Sequence, residues 1–265
     1  MLDTATRQLA VVTGASTGIG LQLARQCAQN GFDLIIAANE PEIEKAADEL
    51  RVGKTKVEAV QADLATIDGN DALYQAIKGR PVAALLANAG RGLGKAFLDQ
   101  DFNDIRFVVE TNITGTLYLV QKIARDMRTR GDGRILITGS IAGFIPGSYQ
   151  AVYNGTKAFL DSFSYALREE MKDTGVTVTC LMPGATETDF FRRADMLDTK
   201  VGTAEKASPL DVAKDGFKAM MAGDASIVSG IQNKIQVAAA HVVPAETLAR
   251  QHSKMAKPGT AETKR

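Results

Sequence analysis

The chain has 265 residues, of which 45% are apolar and 23% are charged, a composition typical of folded globular proteins and not of disordered ones. Its 31 basic residues balance 31 acidic ones, so no overall charge attracts it to nucleic acid or to an anionic membrane. No apolar stretch approaches the roughly 18 residues of a membrane span, and no secretion signal is recognised. We therefore expect a cytoplasmic protein whose partner is a small molecule, not nucleic acid or a membrane.

The cysteine and histidine residues predict no disulfide, no metal site and no histidine-based catalytic centre. Cys27 and Cys180 lie far apart without a CxxC spacing, so we expect two small buried apolar side chains. His241 and His252 have no acidic partner at the spacing of a metal site or a catalytic triad. The chemistry of this chain is therefore sought among its other polar residues.

Short apolar runs alternate with longer segments of helical periodicity. Strands are predicted at residues 9–12, 33–37, 56–60, 82–87, 134–138, 176–181 and 226–229. Helices are predicted at residues 18–30, 41–51, 67–79, 102–130, 152–174 and 210–222, and then at 232–240 and 244–255. Strand runs such as LIIA and AALLA are apolar on consecutive residues, which is typical of a parallel sheet with helices on both faces. The predicted fold class is α/β, a doubly wound parallel sheet.

We expect one domain. No linker and no repeat of fixed period divides the chain, so residues 1–256 are assigned to a single domain with a helical extension at 231–256. Residues 257–265 are polar and are expected to form a disordered tail. A barrel of eight βα units would also fit the length, but its phosphate site usually comes late in the chain, whereas the glycine-rich turn described next follows the first strand.

The first predicted strand enters the first helix through glycines. Residues 13–20 read TGASTGIG, with a G-x-x-x-G-x-G spacing. Such glycines let backbone N–H groups and the positive helix end approach a pyrophosphate. The turn therefore predicts a dinucleotide site, although a tight strand-to-helix connection also selects glycine. The residues assigned to this part of the site are Gly14, Ser16, Thr17, Gly18, Ile19 and Gly20.

Polar residues also end the third and fourth predicted strands. Asp63 and Leu64 follow the third strand, and Asn88, Ala89 and Gly90 follow the fourth. Ligands of open α/β sheets bind at the carboxyl ends of strands, so we assign these five residues to the dinucleotide site. Asp63 would hydrogen-bond an adenine ring there, and a turn or helix cap is its alternative role.

A serine, a tyrosine and a lysine follow in the second half of the chain. Ser140 ends the fifth strand, and Tyr153 and Lys157 lie four residues apart in the next predicted helix. Side chains with that spacing project from one face of a helix, which brings the Lys157 ammonium beside the phenol. A nearby positive charge lowers the pKa of a tyrosine, so Tyr153 would act as a general acid or base. Ser140 would hydrogen-bond the substrate oxygen.

Over about residues 8–230 the sequence resembles the short-chain dehydrogenase/reductase family. The resemblance rests on TGASTGIG, ANAG at 87–90, TNITGT at 111–116, Ser140, YNGTK at 153–157, and Pro183-Gly184 followed by two threonines. It implies a Rossmann-type fold and reversible hydride transfer between a nicotinamide ring and an alcohol or carbonyl carbon.

The resemblance also implies roles for individual residues. By it, Tyr153 is the acid or base, Ser140 orients the substrate oxygen, and Lys157 lowers the tyrosine pKa and holds the nicotinamide ribose. Tyr153 and Lys157 are thereby both assigned to the dinucleotide site as well. Asn112 would sustain a water-linked proton path to Lys157; from the sequence alone it is an unusual amide inside an apolar helix. The residues implied to hold the nicotinamide amide and the pyrophosphate are Pro183, Gly184, Thr186 and Thr188.

The end of the second strand bears on the choice of dinucleotide. An acidic side chain there would bind the ribose hydroxyls of NAD and repel the 2′-phosphate of NADP. The position holds Ala38, followed by Asn39 and Glu40. Asn39 and Ser16 would hydrogen-bond a phosphate, whereas Glu40 would reach the ribose hydroxyls if the turn is offset. Because the expected acid is missing, the sequence favours NADP over NAD.

The expected substrate is a hydrophobic alcohol or carbonyl compound. Aromatic and aliphatic residues predominate after Ser140 and after Pro183, and the assigned substrate-binding residues are Ser140, Ala142, Phe144, Tyr149 and Phe190. Family members commonly assemble through the helices predicted here at 102–130 and 152–174, whose wide apolar faces favour a homodimer or homotetramer. The C-terminal segment after the last predicted strand departs from the shorter family pattern. It would either affect this assembly or cover the substrate entrance.

Two other functions remain open. A nucleotide sensor or scaffold would keep the same fold without catalysis, and intact Asn112, Ser140, Tyr153 and Lys157 favour the enzyme over it. A lyase or epimerase that retains NAD fits less well, because its glycine pattern and its length differ from those of this chain.

Overall fold

Seven strands form one parallel sheet in the computed structural model, which describes residues 7–261. They are β1 (Gln8–Thr13), β2 (Phe32–Ala38), β3 (Val57–Gln61), β4 (Val82–Ala87), β5 (Gly133–Thr138), β6 (Val176–Met182) and β7 (Ser226–Val228). Their order is β3-β2-β1-β4-β5-β6-β7, so the direction of winding reverses between β1 and β4. The doubly wound prediction is confirmed, and the barrel is excluded because the sheet is open.

Helices cover both faces of the sheet. They are α1 (Gly18–Gln29), α2 (Glu42–Leu50), α3 (Ile67–Ile77), α4 (Phe102–Val109), α5 (Thr116–Arg130), α6 (Ala151–Met171), α7 (Phe190–Arg193), α8 (Lys200–Thr203), α9 (Pro209–Ala222), α10 (Ile231–Ala240) and α11 (Ala245–Ala256). The sequence analysis missed α7 and α8, which are too short to show a period. Among the described residues, no helix has both the length and the apolar character to cross a membrane.

Consecutive apolar residues of the strands face two different cores. Ile35 and Ile36 of β2 are both fully buried, yet Ile35 packs on the side of α3, α5 and α6, and Ile36 on the side of α1, α2 and α9. This explains why the strand runs do not alternate with polar residues. Both faces are closed, which leaves the carboxyl ends of the strands as the open edge.

The helix predicted at 102–130 is interrupted by a π-helical turn, Glu110–Gly115, between α4 and α5. Gly115 approaches the β3–α3 loop so closely that a Cβ on it would lie 1.9 Å from the Leu64 carbonyl oxygen. Asn112, the amide that was unusual in a regular apolar helix, lies in this turn and is fully buried. Turns of this kind inside α-helices are frequent at functional sites.

The C-terminal segment forms α10 and α11, as predicted, and continues in order beyond them. The Ala261 N–H donates to the Asp198 carbonyl oxygen over 2.9 Å, and the Gly259 N–H donates to the Asp198 carboxylate over 2.9 Å. The expectation of disorder is therefore wrong for residues 257–261, because these bonds fix them beside the segment that precedes α8. Residues 262–265 lie outside the described part of the chain.

Candidate active site

A cavity of about 380 Å³ opens at the carboxyl ends of the strands, on both sides of the β1–β4 reversal. It is lined by every residue that the sequence analysis assigned to the dinucleotide: Gly14, Ser16, Thr17, Gly18, Ile19, Gly20, Asn39, Asp63, Leu64, Asn88, Ala89, Gly90, Tyr153, Lys157, Pro183, Gly184, Thr186 and Thr188. Residues distant in sequence thus meet in one site because parallel strands end at the same edge.

The turn between β1 and α1 has the shape of a phosphate cradle. Gly14 and Gly18 have positive φ angles of 64° and 58°, a conformation that favours glycine. A Cβ on Gly20 would lie 2.1 Å from the Gly14 carbonyl oxygen, and one on Gly18 would lie 2.8 Å from Thr188 Cγ2. These glycines leave the start of α1 open to an anionic ligand. The turn therefore fits the pyrophosphate of a dinucleotide.

Asn88 holds this cradle in place through bonds to two strands. Its side-chain amide donates to the Thr13 carbonyl oxygen over 3.1 Å and accepts from the Thr138 hydroxyl over 3.2 Å. The Thr13 hydroxyl in turn accepts from the backbone N–H groups of Asn88 and Ala89, each at 2.9 Å. The carboxyl ends of β1, β4 and β5 are therefore tied together beneath the site.

Tyr153, Lys157 and Ser140 meet at the other end of the cavity. The buried Lys157 ammonium donates to the Thr138 carbonyl oxygen over 2.7 Å and lies 5.9 Å from the centroid of the Tyr153 ring. The Ser140 hydroxyl donates to the Pro183 carbonyl oxygen over 3.3 Å and accepts from the Ala142 N–H over 3.1 Å. The structure thus brings together the three side chains that the sequence singled out.

The protonation of this group differs from the sequence-based expectation. Desolvation raises the pKa of the Tyr153 phenol to about 12, and the neighbouring Ser140 hydroxyl only partly opposes the shift. Burial also lowers the pKa of Lys157 to about 8. The expected lowering of the tyrosine pKa is not seen here: desolvation and the nearby Asp161 carboxylate raise it more than the Ser140 hydrogen bond lowers it. At neutral pH the phenol is a proton donor.

Asn112 lies behind the residues that line the cavity, and its side-chain amide makes hydrogen bonds to other protein groups. Its oxygen accepts from the Arg91 N–H over 2.7 Å, and its nitrogen donates to the Arg91 carbonyl oxygen and the Thr156 hydroxyl, each over 2.9 Å. A Cβ built on Gly90 would lie 3.4 Å from the Asn112 oxygen and 3.5 Å from Lys157 Nζ. Asn112 and Lys157 therefore face one small space next to Gly90.

Asp161, which the sequence analysis missed, lies one helical turn after Lys157 on α6. It is 6% exposed, and its Oδ1 accepts from the Ser140 N–H over 3.2 Å, while its Oδ2 has no hydrogen-bond partner among residues 7–261. A Cβ on Gly139 would lie 1.8 Å from Oδ1. Burial raises the pKa of this carboxyl to about 6. In the sequence, Asp161 could have been recognised by its spacing of four residues from Lys157, which places both side chains on one face of a helix.

This buried carboxyl should make the fold less stable as the pH rises. Because its pKa is raised from 3.8 to about 6, its contribution is fully present below pH 3.8 and is lost as the pH rises through 6. Relative to Asp161→Asn, the wild-type free energy of unfolding should fall by up to about 3 kcal/mol over this range. Urea unfolding of both proteins at several pH values measures the difference.

Asp173→Asn is the matched control for this comparison, because Asp173 is exposed just beyond α6. We expect the difference between that variant and the wild type to change little over the same pH range. If the difference in the free energy of unfolding between the wild type and Asp161→Asn also did not change with pH, Asp161 would ionise in the folded state without any loss of stability.

The substrate-binding residues predicted from the sequence are only partly brought together. Ser140, Ala142 and Phe190 line the cavity, but Phe144 and Tyr149 do not. The Phe144 ring lies 5.4 Å from the His241 ring, and Tyr149 packs in the cluster of α7 and α11. Both rings thus contact the C-terminal segment outside the cavity lining, and their role in substrate binding stays a prediction.

The C-terminal helices supply one wall of the cavity instead. Asn233 and Gln236 of α10 and His252 and Met255 of α11 line it. His252 Nδ1 lies 2.9 Å from the Ser148 carbonyl oxygen, which joins α11 to the loop before α6. Periodicity predicted these helices but gave no sign of where they pack, so the sequence analysis missed their site residues.

Comparison with known proteins gives a consistent result. A sequence profile described as short chain dehydrogenase matches residues 8–197. A very-long-chain 3-oxoacyl-CoA reductase of Pyricularia oryzae is 37% identical over 176 residues, which are 64% of this chain and 53% of that protein. The chain thus spans about half the length of the curated reductases that it matches.

Solved structures extend the similarity beyond the profile. A short-chain dehydrogenase from Sphingobium yanoikuyae in complex with NADPH has a TM-score of 0.81 and 26% identity, covering 92% of this chain and 94% of that one. L-Sorbose reductase from Gluconobacter frateurii, complexed with NADPH and L-sorbose, has a TM-score of 0.75 and 26% identity, covering 85% and 96%.

Proposed function

Because the chain belongs to the short-chain dehydrogenase family, we propose that it is an oxidoreductase that uses a nicotinamide dinucleotide to interconvert a small hydrophobic carbonyl compound and its alcohol. The observation that carries the proposal is the single cavity in which the glycine cradle, Ser140, Tyr153 and Lys157 meet. The comparisons give no support to a non-catalytic sensor or scaffold.

In this proposal the chain manages the proton of the reaction. A bound nicotinamide supplies or accepts the hydride. In carbonyl reduction Tyr153 donates its phenolic proton to the substrate oxygen, and the Ser140 hydroxyl rotates away from the Pro183 carbonyl oxygen to donate a hydrogen bond to the same substrate oxygen. The Lys157 ammonium stabilises the phenolate that remains.

We further propose NADP(H) as the preferred dinucleotide. The end of β2 carries Ala38 and Asn39, which place no acid at the position that usually excludes a 2′-phosphate. Ser16 and Asn39 both line the cavity. Both solved relatives described above are complexes with NADPH.

The substrate class rests on the apolar part of the cavity. The apolar side chains that line the cavity include Ile141, Ile145, Phe190, Phe191, Val201 and Met255, of which Phe190 packs 5.0 Å from the Tyr153 ring. These side chains bind a ligand chiefly by removing its apolar surface from water. The proposed substrate is therefore an aliphatic or aromatic ketone or aldehyde, a class that includes long-chain 3-oxoacyl groups.

We also propose that the chain forms a homodimer or homotetramer. Phe159 and Tyr165 on α6 are 40% and 45% exposed, although α6 otherwise packs against the sheet. A second α6 would cover such aromatic side chains and remove them from water.

The proposed activity is tested by following NADPH and NADH oxidation at pH 7 over a diverse panel of ketones and aldehydes. We expect turnover of hydrophobic members with NADPH, and faster turnover with NADPH than with NADH. Tyr153→Phe serves as the blank for reactions that do not need the site. Absence of turnover above this blank across the panel would refute the activity, and a clear preference for NADH would refute the choice of dinucleotide.

A further inference from the structure

The short helix α7 crosses the cavity from the tyrosine to the end of β2. At its first residue, the Phe190 ring lies 5.0 Å from the Tyr153 ring and fills the space left by Gly92, where a Cβ would lie 2.4 Å from Phe190 Cζ. At its last residue, Arg193 reaches Glu40 with a distance of 2.7 Å between Nη1 and Oε1. A segment that follows β6 therefore brings a cation to the end of β2.

Glu40 is held from two sides at that point. Its Oε2 accepts from the Ser16 hydroxyl over 2.7 Å, and its Oε1 is paired with Arg193. Ser16 belongs to the glycine cradle, so the Glu40 carboxylate lies beside the turn that fits a dinucleotide. An acid in this region favours a ribose hydroxyl and repels a phosphate, whereas an arginine accommodates the phosphate. Both kinds of group are present here, and they are bonded to each other.

A second arginine lies in the same region as Arg193. Arg91 lies 4.1 Å from the Phe107 ring and, like Arg193, lines the cavity. Burial and the positive charge of Arg193 lower the pKa of Arg91, so the two cations act on the same region. Arg193 has five N–H donors in a fork, of which one contacts Glu40 at 2.7 Å, and another lies 3.7 Å from Asp189. Because the side chain is 39% exposed, it has room to contact a further ligand.

We propose that Arg193 is the specificity-determining residue for the dinucleotide: it neutralises Glu40 and donates to the 2′-phosphate of NADPH. In this arrangement Arg193 of α7 takes the role of the basic residue that is absent from the end of β2. Glu40 alone would exclude the phosphate and would leave the site selective for NADH. The proposal rests on the proposed function only in requiring that a nicotinamide dinucleotide binds.

The test measures binding directly and needs no substrate. Dissociation constants for NADPH and NADH are determined from the fluorescence of the reduced nicotinamide, for wild type, Arg193→Gln, Glu40→Gln and Arg192→Gln. We expect Arg193→Gln to raise the dissociation constant of NADPH by at least about tenfold, which is the value of one charge-assisted hydrogen bond. The dissociation constant of NADH should change by less than about twofold. Glu40→Gln should act in the opposite direction and tighten NADPH, because it removes the repelling charge.

Arg192→Gln is the matched control, since it removes the same charge from the neighbouring residue of α7. Arg192 pairs with Asp189 at 3.0 Å, is 62% exposed and does not line the cavity, so neither dissociation constant should change. If circular dichroism shows that Arg193→Gln is unfolded, the dissociation constants of Arg193→Lys and Glu40→Gln test the inference instead. Arg193→Lys keeps the positive charge and loses the forked set of N–H donors.

Three results would overturn the inference alone. Equal weakening of NADPH and NADH by Arg193→Gln would show that Arg193 only packs α7 against the cavity. Unchanged binding of NADPH, or weaker binding of NADPH to Glu40→Gln, would show that the phosphate does not meet this pair. In each case the wild type still binds a dinucleotide and the proposed function stands. A wild type that binds neither dinucleotide would refute the function and the inference together.

Discussion

Tyr153→Phe should reduce the rate of carbonyl reduction by about a hundred- to ten-thousand-fold, which is the usual value of one positioned proton donor. The phenol lies in the cavity at a pKa of about 12, so it holds the proton that the substrate oxygen needs at neutral pH. Phenylalanine keeps the ring that packs 5.0 Å from Phe190 and removes only the hydroxyl. The loss should therefore appear in kcat, while the dissociation constant of NADPH stays within about twofold.

The same substitution on the same helix provides the control. Tyr165 of α6 is 45% exposed, and its hydroxyl donates to Ser226 over 2.7 Å, away from the cavity. Tyr165→Phe should leave kcat unchanged, with any effect limited to stability or assembly. Steady-state rates on a ketone identified in the panel, with dinucleotide binding measured separately, distinguish the two variants. A Tyr153→Phe enzyme that turns over as fast as the wild type would show that another group donates the proton.

The strands of the sheet could be predicted from the sequence because the residues of each strand by themselves indicate that both of its faces are buried. Ile35 and Ile36 are apolar since both faces of β2 are buried, and no distant contact is needed to recognise this pattern. The glycine cradle was equally accessible, because Gly14 and Gly18 have conformations that few other residues adopt. Elements whose character depends on their own residues were therefore found with nearly the observed bounds.

The sequence could not predict features that arise where separate segments meet. The π-helical turn around Asn112 exists beside the loop that carries Arg91, which is 21 residues away. The pair of Glu40 and Arg193 joins residues that are separated by most of the chain. The tyrosine pKa likewise depends on residues from several segments: helical spacing places Lys157 near the phenol, but desolvation by the surrounding residues raises the pKa.

Lys157→Met should reduce kcat on the order of a hundredfold and yet make the protein more stable at pH 7. The ammonium is buried, and its pKa is lowered from 10.5 to about 8. The folded state thus binds this proton less tightly than the unfolded state, and below pH 8 the full penalty of about 3 kcal/mol applies. Loss of the 2.7 Å bond to the Thr138 carbonyl oxygen offsets about 1.5 kcal/mol of the gain. Asp161 also loses the positive charge that lowers its pKa, so the net rise in the free energy of unfolding should be no more than about 1 kcal/mol.

The pH dependence separates this cause from a simple packing effect. Stability of the wild type should increase as the pH rises from 8 to 10.5, because the unfolded state then loses the proton that the folded state has already released. The advantage of Lys157→Met should therefore shrink over that range in urea unfolding experiments. Lys172→Met, at an exposed lysine just after α6 that pairs with Glu169, should show neither the gain nor the pH dependence. A Lys157→Met protein that is less stable than the wild type at pH 7 would mean that the buried ammonium stabilises the fold, and that the site carries no trade-off between activity and stability.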